Sequence, residues 1–468
     1  MLGASLGNGY RSLGNGYRSL RNGYRWLVHP YRFLDAQRRR RGLSFQLDLP
    51  ILGHSLVTGD PALVREIVLH PDLDSGRGIV ALRAILGDRS LITLDGHEHR
   101  ERRRLLAPAF SARVIESYDE ITIGKTGAVI GELGQGKQFS FYEAARRISL
   151  SAIVRFIFGE KSPGEERSLE TLVEDFLASF HNPLVLYLKF LQVDLGPASP
   201  WGRALRNRDR LRARILSEIG EQRKGRSGST GLLAALFANG AGRGDYDPCD
   251  DDLTTEVLTL LMFGHDTGAA AMAWVMVHLL QHPEARERAR AEAETTEGGG
   301  APARSSYLEA CIRESMRLCP VVVNVTRVAR RDLEIGGYRV REGERVLPCA
   351  YLAHHNEKVF PDARRFVPER FLNGHNYGHA YFPFGIGGRL CLGEPFAMRQ
   401  MVLILSTFVA QAALEFAPGY QARPARNLVL IMPRRGALVV NRAVSLAGVM
   451  TSGMAEMTLG DHPGRVQR

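Results

Sequence analysis

One cysteine in this chain sits where a thiol can do chemistry. Residues 382–398 read FPFGIGGRLCLGEPFAM, with Cys391 two positions after Arg389 and just ahead of an apolar-periodic helix. A thiolate at a helix N-terminus is stabilised by the free backbone N–H groups and by the helix dipole, which makes it a better metal ligand. Gly385, Gly387, Gly388 and Gly393 permit a tight bend and the close approach of a flat, bulky partner. A zinc site would want further Cys or His at short spacing, and none is present. A catalytic nucleophile would want a general base, which sequence alone does not locate. An axial thiolate to haem iron needs a single cysteine.

The rest of the chain must hold that loop. Strand-like pieces (FQLDLPILG, SLVTG) come before DPALVREIVLHP, in which Asp60 is placed as N-cap and Pro61 at the first helical position. A mostly helical middle follows, and DLEIGGYRVREGERVLP then reads as strands with a hairpin turn at Gly336–Gly337. The apolar run LTLLMFGHDTGAAAMAWVMVHLL (258–280) is interrupted by His265, Asp266 and His278. Adjacent polar groups at its middle would be costly in lipid, so it reads as a helix buried inside the protein. Glu314 and Arg317 form an i, i+3 pair on one helical face, a weak signal by itself.

Flexible joints at 239–248 and 296–305 separate helices, with no independent core on either side. One large, mainly α domain with a minor β-sheet region is expected over 44–443, between an N-terminal tail (1–43) and a C-terminal tail (444–468). The first tail carries SLGNGYR, SLGNGYR and SLRNGYR in succession (5–25), whose Gly-Asn-Gly-like breaks oppose a steady helix.

The net charge of +11, carried mostly by Arg, would suit nucleic acid, an anionic membrane or an acidic protein. Arg is spread along the chain and no nucleic-acid module is recognisable, which argues against nucleic acid. Five cysteines without a CxxC pair or a secretory leader predict reduced thiols in a cytoplasmic protein.

FGIGGRLCLG (384–393) resembles the cytochrome P-450 haem-binding signature, Phe-x-x-Gly-x-Arg-x-Cys-x-Gly, at every fixed position. The resemblance covers roughly residues 44–443 and implies haem b, held between the central long helix and the cysteine-loop helix. It makes Cys391 the axial iron ligand, Arg389 a propionate partner and Phe384 a shield for the sulfur. GHEHRERRRLLAPAF (96–110) is similar to the helix whose His-x-x-x-Arg pair holds a propionate, giving His99 and Arg103. His97 competes for that role, but Glu101 four residues on would repel a carboxylate; Arg100, Arg102 and Arg104 are expected on a solvated face. Arg327 stands where the family often has another propionate ligand. Glu314, Arg317 and Arg370 (in FVPERF) look like the family's structural Glu-Arg-Arg network.

FGHDTG (263–268) resembles the family's acid–alcohol motif, implying proton delivery by Asp266 and a hydrogen bond from Thr267 to dioxygen. Phe263 departs from the usual Ala or Gly. From sequence it stays open whether its ring narrows the substrate pocket over the haem or a helix shift turns it elsewhere. The implied activity is a monooxygenase that hydroxylates or epoxidises a lipophilic small molecule with dioxygen. Its electrons would come from a separate ferredoxin or flavodoxin with a reductase. A soluble, cytoplasmic monomer without a transmembrane anchor is expected. Segments 79–94, 176–190 and 321–326, mostly aliphatic, are similar to the family's substrate-facing regions. A peroxide-using peroxygenase and a non-catalytic haem sensor are the alternatives; neither requires the Asp266–Thr267 pair.

Overall fold

The computed structural model describes residues 21–442 apart from 50–51, 79, 180–191, 225–230, 239–247, 296–306 and 428. The first two heptapeptide copies, the bulk of both expected joints and of segment 176–190, and the tail 444–468 lie outside the described residues.

Local signals in the sequence act as read. The Asp60 carboxylate accepts from the N–H groups of Ala62 (2.9 Å) and Leu63 (3.2 Å), and Pro61 opens the helix Pro61–Leu69. Strands Leu333–Ile335 and Tyr338–Val340 pair across Gly336 and Gly337, whose φ values of 53° and 78° suit glycine. The main sheet runs β1 (Ser44–Leu49), β2 (Gly53–Thr58), β3 (Leu73–Asp74), β4 (Arg327–Ala329) and β5 (Arg345–Pro348), in the spatial order β1-β2-β5-β4-β3. In this sheet β2 and β5 pair in parallel and the other neighbours are antiparallel; β3 against β4 brings the turn after Asp74 beside Arg327.

Helices make up most of the rest, as expected of a mainly α fold with a minor sheet. Asp250–Phe263 and Asp266–Gln281 together form the 32-residue central element, long and apolar enough to cross a membrane. Every residue from Ala269 to Leu279 is buried, in a core shared with Phe141–Phe158, Tyr307–Leu318 and Glu394–Gln411. Its apolarity therefore serves packing, worth roughly 1.5–3 kcal/mol for each large side chain taken out of water.

The N-terminal boundary differs from expectation. Residues 21–28 are helical, Pro30–Arg41 is a second helix, and Trp26, Tyr31, Phe33 and Leu34 are buried with Phe45, Leu47 and Tyr351. Tyr31 stacks on Tyr351 with ring centroids 4.4 Å apart. The packed body thus begins ahead of residue 44, because aromatic residues directly after the Gly-Asn-Gly breaks find a hydrophobic sheet face.

Candidate functional site

Cys391 leaves its loop just before the helix Glu394–Gln411, which has Pro395 in its first turn. Gly385 and Gly387 have φ of 79° and 69°. A Cβ on Gly387 would come within 2.3 Å of Val68, so glycine is required there for space as well as for φ. The Cys391 N–H donates to Phe384 O at 2.9 Å and closes the loop, while the Phe384 ring packs against the core. Cys391 is a solvent-accessible residue although protein atoms surround its thiol closely. Burial pushes its thiol pKa up; the N–H groups of Gly393 and Glu394, and Arg103, oppose that only in part. The helix end alone does not make a thiolate here. A coordinating metal ion would, because it displaces the proton outright.

Four basic side chains converge on this loop, and one carboxylate, that of Asp95, bonds to them directly. Arg103, from the helix Gly96–Leu106, donates to Leu390 O at 2.7 Å. Arg389 donates to Leu91 O at 3.2 Å and also binds Leu94 O and the Asp95 carboxylate. Arg327 is 5% exposed; burial, then Arg389, lower its pKa to about 10, so it is still a cation at neutral pH. His99 is also buried, and burial, then Arg389 and Arg103, push its pKa down to about 4, leaving it neutral. Three guanidinium charges less one carboxylate leave a surplus of two positive charges. His97 lies outside the cluster, exposed and 3.9 Å from Glu101.

Arg102 corrects the sequence reading. Arg104 is solvated as expected, pairing at the surface with Glu101, but Arg102 is 1% exposed. It donates to Glu256 Oε1 at 2.6 Å and lies 3.2 Å from Asp252. The helix buries one face, His99, Arg102 and Leu106, and the two carboxylates that receive Arg102 are some 150 residues away in the chain, invisible to local spacing. Glu256 Oε1 also accepts the Leu91 N–H at 2.8 Å, so the central helix grips residues 89–91 directly.

The central element breaks at the motif. Regular helix stops at Phe263 and resumes at Asp266; His265 takes φ −127°. The Thr267 hydroxyl donates to Phe263 O at 2.9 Å, and His265 Nδ1 lies 3.0 Å from Leu261 O, so side chains serve carbonyls that the interrupted ladder leaves over. Gly264 lets the helix Phe141–Phe158 approach, since a Cβ there would sit 3.0 Å from Ile153. From that neighbouring helix, Tyr142 donates its hydroxyl to Asp266 Oδ1 at 3.1 Å; burial first, and Asp266 second, raise the Tyr142 pKa. His265 Nε2 lies 3.4 Å from the same carboxylate oxygen. Phe263 is half-buried and packs against the apolar cluster formed by Ile153, Val257, Leu261 and Phe396.

The sequence profile of the cytochrome P450 family matches residues 52–440. The chain belongs to the cytochrome P450 family. It is 30% identical over 422 residues to cytochrome P450 135B1 of Mycobacterium tuberculosis, covering 88% of this chain and 87% of that one. Cytochrome P450 137 of the same species is 30% identical over 404 residues, covering 86% and 83%. Among solved structures, a cyanobacterial P450 with bound retinoic acid, CYP120A1, superposes with a TM-score of 0.75 at 24% identity, over 89% of this chain and 95% of that one. The haem domain of P450DA does so at 0.75 and 23%, over 88% and 92%. P450 enzymes are haem-thiolate monooxygenases whose iron protoporphyrin IX has an axial cysteine ligand.

The residues of this P450 fit that group. The surplus of two positive charges matches the two carboxylates of protoporphyrin IX, and the one accessible sulfur of the loop adjoins the cluster. Elsewhere in the core, Arg317 binds Glu314 through two bonds of 2.7 and 2.8 Å and donates to the carbonyls of His354 and Ala363 at 2.8 and 2.7 Å. Arg370 Nε lies 3.5 Å from Glu314 Oε1, which also accepts the Val367 N–H at 2.9 Å. Glu314 and Arg317 are wholly buried, so their attraction is unscreened and a lone partner would be costly. Arg317→Ala is expected to destabilise the protein by about 3–5 kcal/mol, read as a large drop in melting temperature together with lost haem incorporation.

Proposed function

We propose that Cys391 is the axial ligand of the haem iron and that Arg103, Arg327 and Arg389 hold the haem carboxylates, with neutral His99 as a hydrogen-bond donor. The observation that carries this reading is the convergence of one accessible thiol with three guanidiniums, of which only Arg389 is bonded to a carboxylate, that of Asp95. When bound, the haem supplies the activation of dioxygen. The protein's own part is to exclude water, orient substrate and move protons. Phe384 closes the loop over the thiolate side. Asp266, bonded by the Tyr142 hydroxyl, would deliver protons, and the Thr267 hydroxyl, now donating to Phe263 O, would be available to bind dioxygen. Phe263 narrows the apolar space beside them and so selects which carbon is presented.

The substrate is a lipophilic small molecule that is hydroxylated or epoxidised, in keeping with the aliphatic segments 79–94 and 321–326. The electrons come from an acidic ferredoxin or flavodoxin with its reductase, drawn by the +11 charge of the chain. Reduction of the ferric protein by such a carrier is expected to slow steeply as salt rises from about 0.05 to 0.5 M, as the screening length contracts; a flat salt profile in stopped-flow measurements would argue against this docking. The class of reaction is tested by giving the purified protein candidate lipids with dioxygen and a ferredoxin system, or with peroxide alone. Product only in the peroxide arm would replace the monooxygenase reading by a peroxygenase.

A further inference from the structure

We infer that Asp95 is a positioning residue of the haem site: it anchors Arg389 and trims the charge of the cationic cluster to match the two haem carboxylates. This rests on the haem site proposed above and adds a member to it. Asp95 occupies the N-cap position of Gly96–Leu106, yet its side chain makes no capping bond to that helix. It turns instead to the segment after β3. Oδ1 accepts the N–H groups of Ser75 at 2.9 Å and Gly76 at 3.0 Å, and Oδ2 accepts Gly76 again at 2.9 Å. Gly76 has to be glycine for this, because a Cβ there would lie 2.1 Å from Thr93 O and 2.9 Å from Asp95 Oδ2. The remaining partner is the Arg389 guanidinium, which also holds Leu91 O and Leu94 O.

Two backbone donors and a guanidinium make a rigid carboxylate seat. Through it, three remote pieces meet: the turn after β3, the strap Leu91–Asp95 and the cysteine loop. The charge argument is independent of that geometry. Arg103, Arg327 and Arg389 carry three positive charges, and the two haem carboxylates neutralise two of them. Asp95 cancels the third. Asp74, which Arg389 also senses, is engaged at its own surface by Arg77 at 3.4 Å and Arg330 at 3.5 Å and stays outside the balance. Outer partners that orient a cofactor's ligands typically alter its affinity 10- to 100-fold on removal.

The deciding measurement is the ferric/ferrous midpoint potential of haem-loaded protein, with the carbonyl spectrum recorded alongside. Asp95→Asn deletes a negative charge near the haem and is expected to shift the potential positive, because the ferrous state carries one electron more. Arg389→Gln is expected to shift it negative, and the double variant to return close to the parent value. Asp95→Glu, which keeps the charge, should leave the potential near the parent even if the seat is distorted; it serves as the reading should the Asn variant not fold. Haem release from Asp95→Asn to an acceptor apoprotein is expected to be about 10-fold faster or more. A potential unmoved by Asp95→Asn, or single-variant shifts of the same sign, would overturn the inference. If the parent protein shows no thiolate carbonyl spectrum, the haem-site reading itself fails, a result separable from any effect of Asp95.

Discussion

Cys391→Ser is expected to abolish the thiolate signature of the reduced carbonyl complex and, with it, oxygen insertion into substrate. Serine keeps the shape of the loop, including the backbone N–H that closes on Phe384 O, so the fold should survive. What it removes is a sulfur that can become an anion on binding iron and push electron density towards the O–O bond. An alkoxide is far harder to form than a thiolate. Cys249 is exposed and precedes a helix as well, so what makes Cys391 the candidate among five cysteines is its glycine-bent loop beside Arg103 and Arg389. Cys311 and Cys349 are buried, and burial raises the pKa of both; Cys349 reaches about 12. Absorption spectroscopy of the reduced carbonyl complex decides the matter. An undisturbed spectrum in the serine variant would remove Cys391 from the site.

Asp266→Asn is expected to lower turnover by about 100-fold, with more reducing equivalents ending as peroxide. The amide keeps the size of the carboxyl group but cannot shuttle a proton. Tyr142→Phe should give a milder loss, about 10-fold, since it deletes one hydrogen bond to a charged group without touching the relay itself. Both losses should come with an altered solvent isotope effect, the signature of a changed proton-transfer step. Burial of Tyr142 and its contact with Asp266 hold its hydroxyl protonated, so it acts as a fixed donor rather than as an acid. Normal coupling of product to electrons in Asp266→Asn would place proton delivery elsewhere.

The thiol loop, the broken central helix and the Glu314–Arg317 pair are all legible in the amino-acid sequence, for one physical reason. Each depends on residue types at short spacing: glycines with positive φ ahead of a helix start, polar groups inside an apolar run, a charge pair one turn apart. The same local logic places Asp60 as a cap and Gly336–Gly337 as a turn. Asp95 shows where that logic stops. It goes unnoticed in the sequence and stands at a helix N-cap position, while its donors lie about 20 residues upstream and its guanidinium partner 294 residues downstream.

Arg102 and Tyr142 fall to the same limit. An arginine among arginines reads as solvated until Asp252 and Glu256 are brought up against it by the packing of the central helix. A tyrosine in an apolar helix carries no sign that its hydroxyl will meet Asp266, 124 positions on. The tail boundary lies earlier than the sequence suggests because burial of Trp26 and Tyr31 depends on a sheet face assembled from residues far along the chain. By itself, then, the sequence determined the chemical parts of this P450 and their local seating. The tertiary structure alone decided which charges neutralise one another, since buried electrostatics follows distance in space and takes no account of distance along the chain.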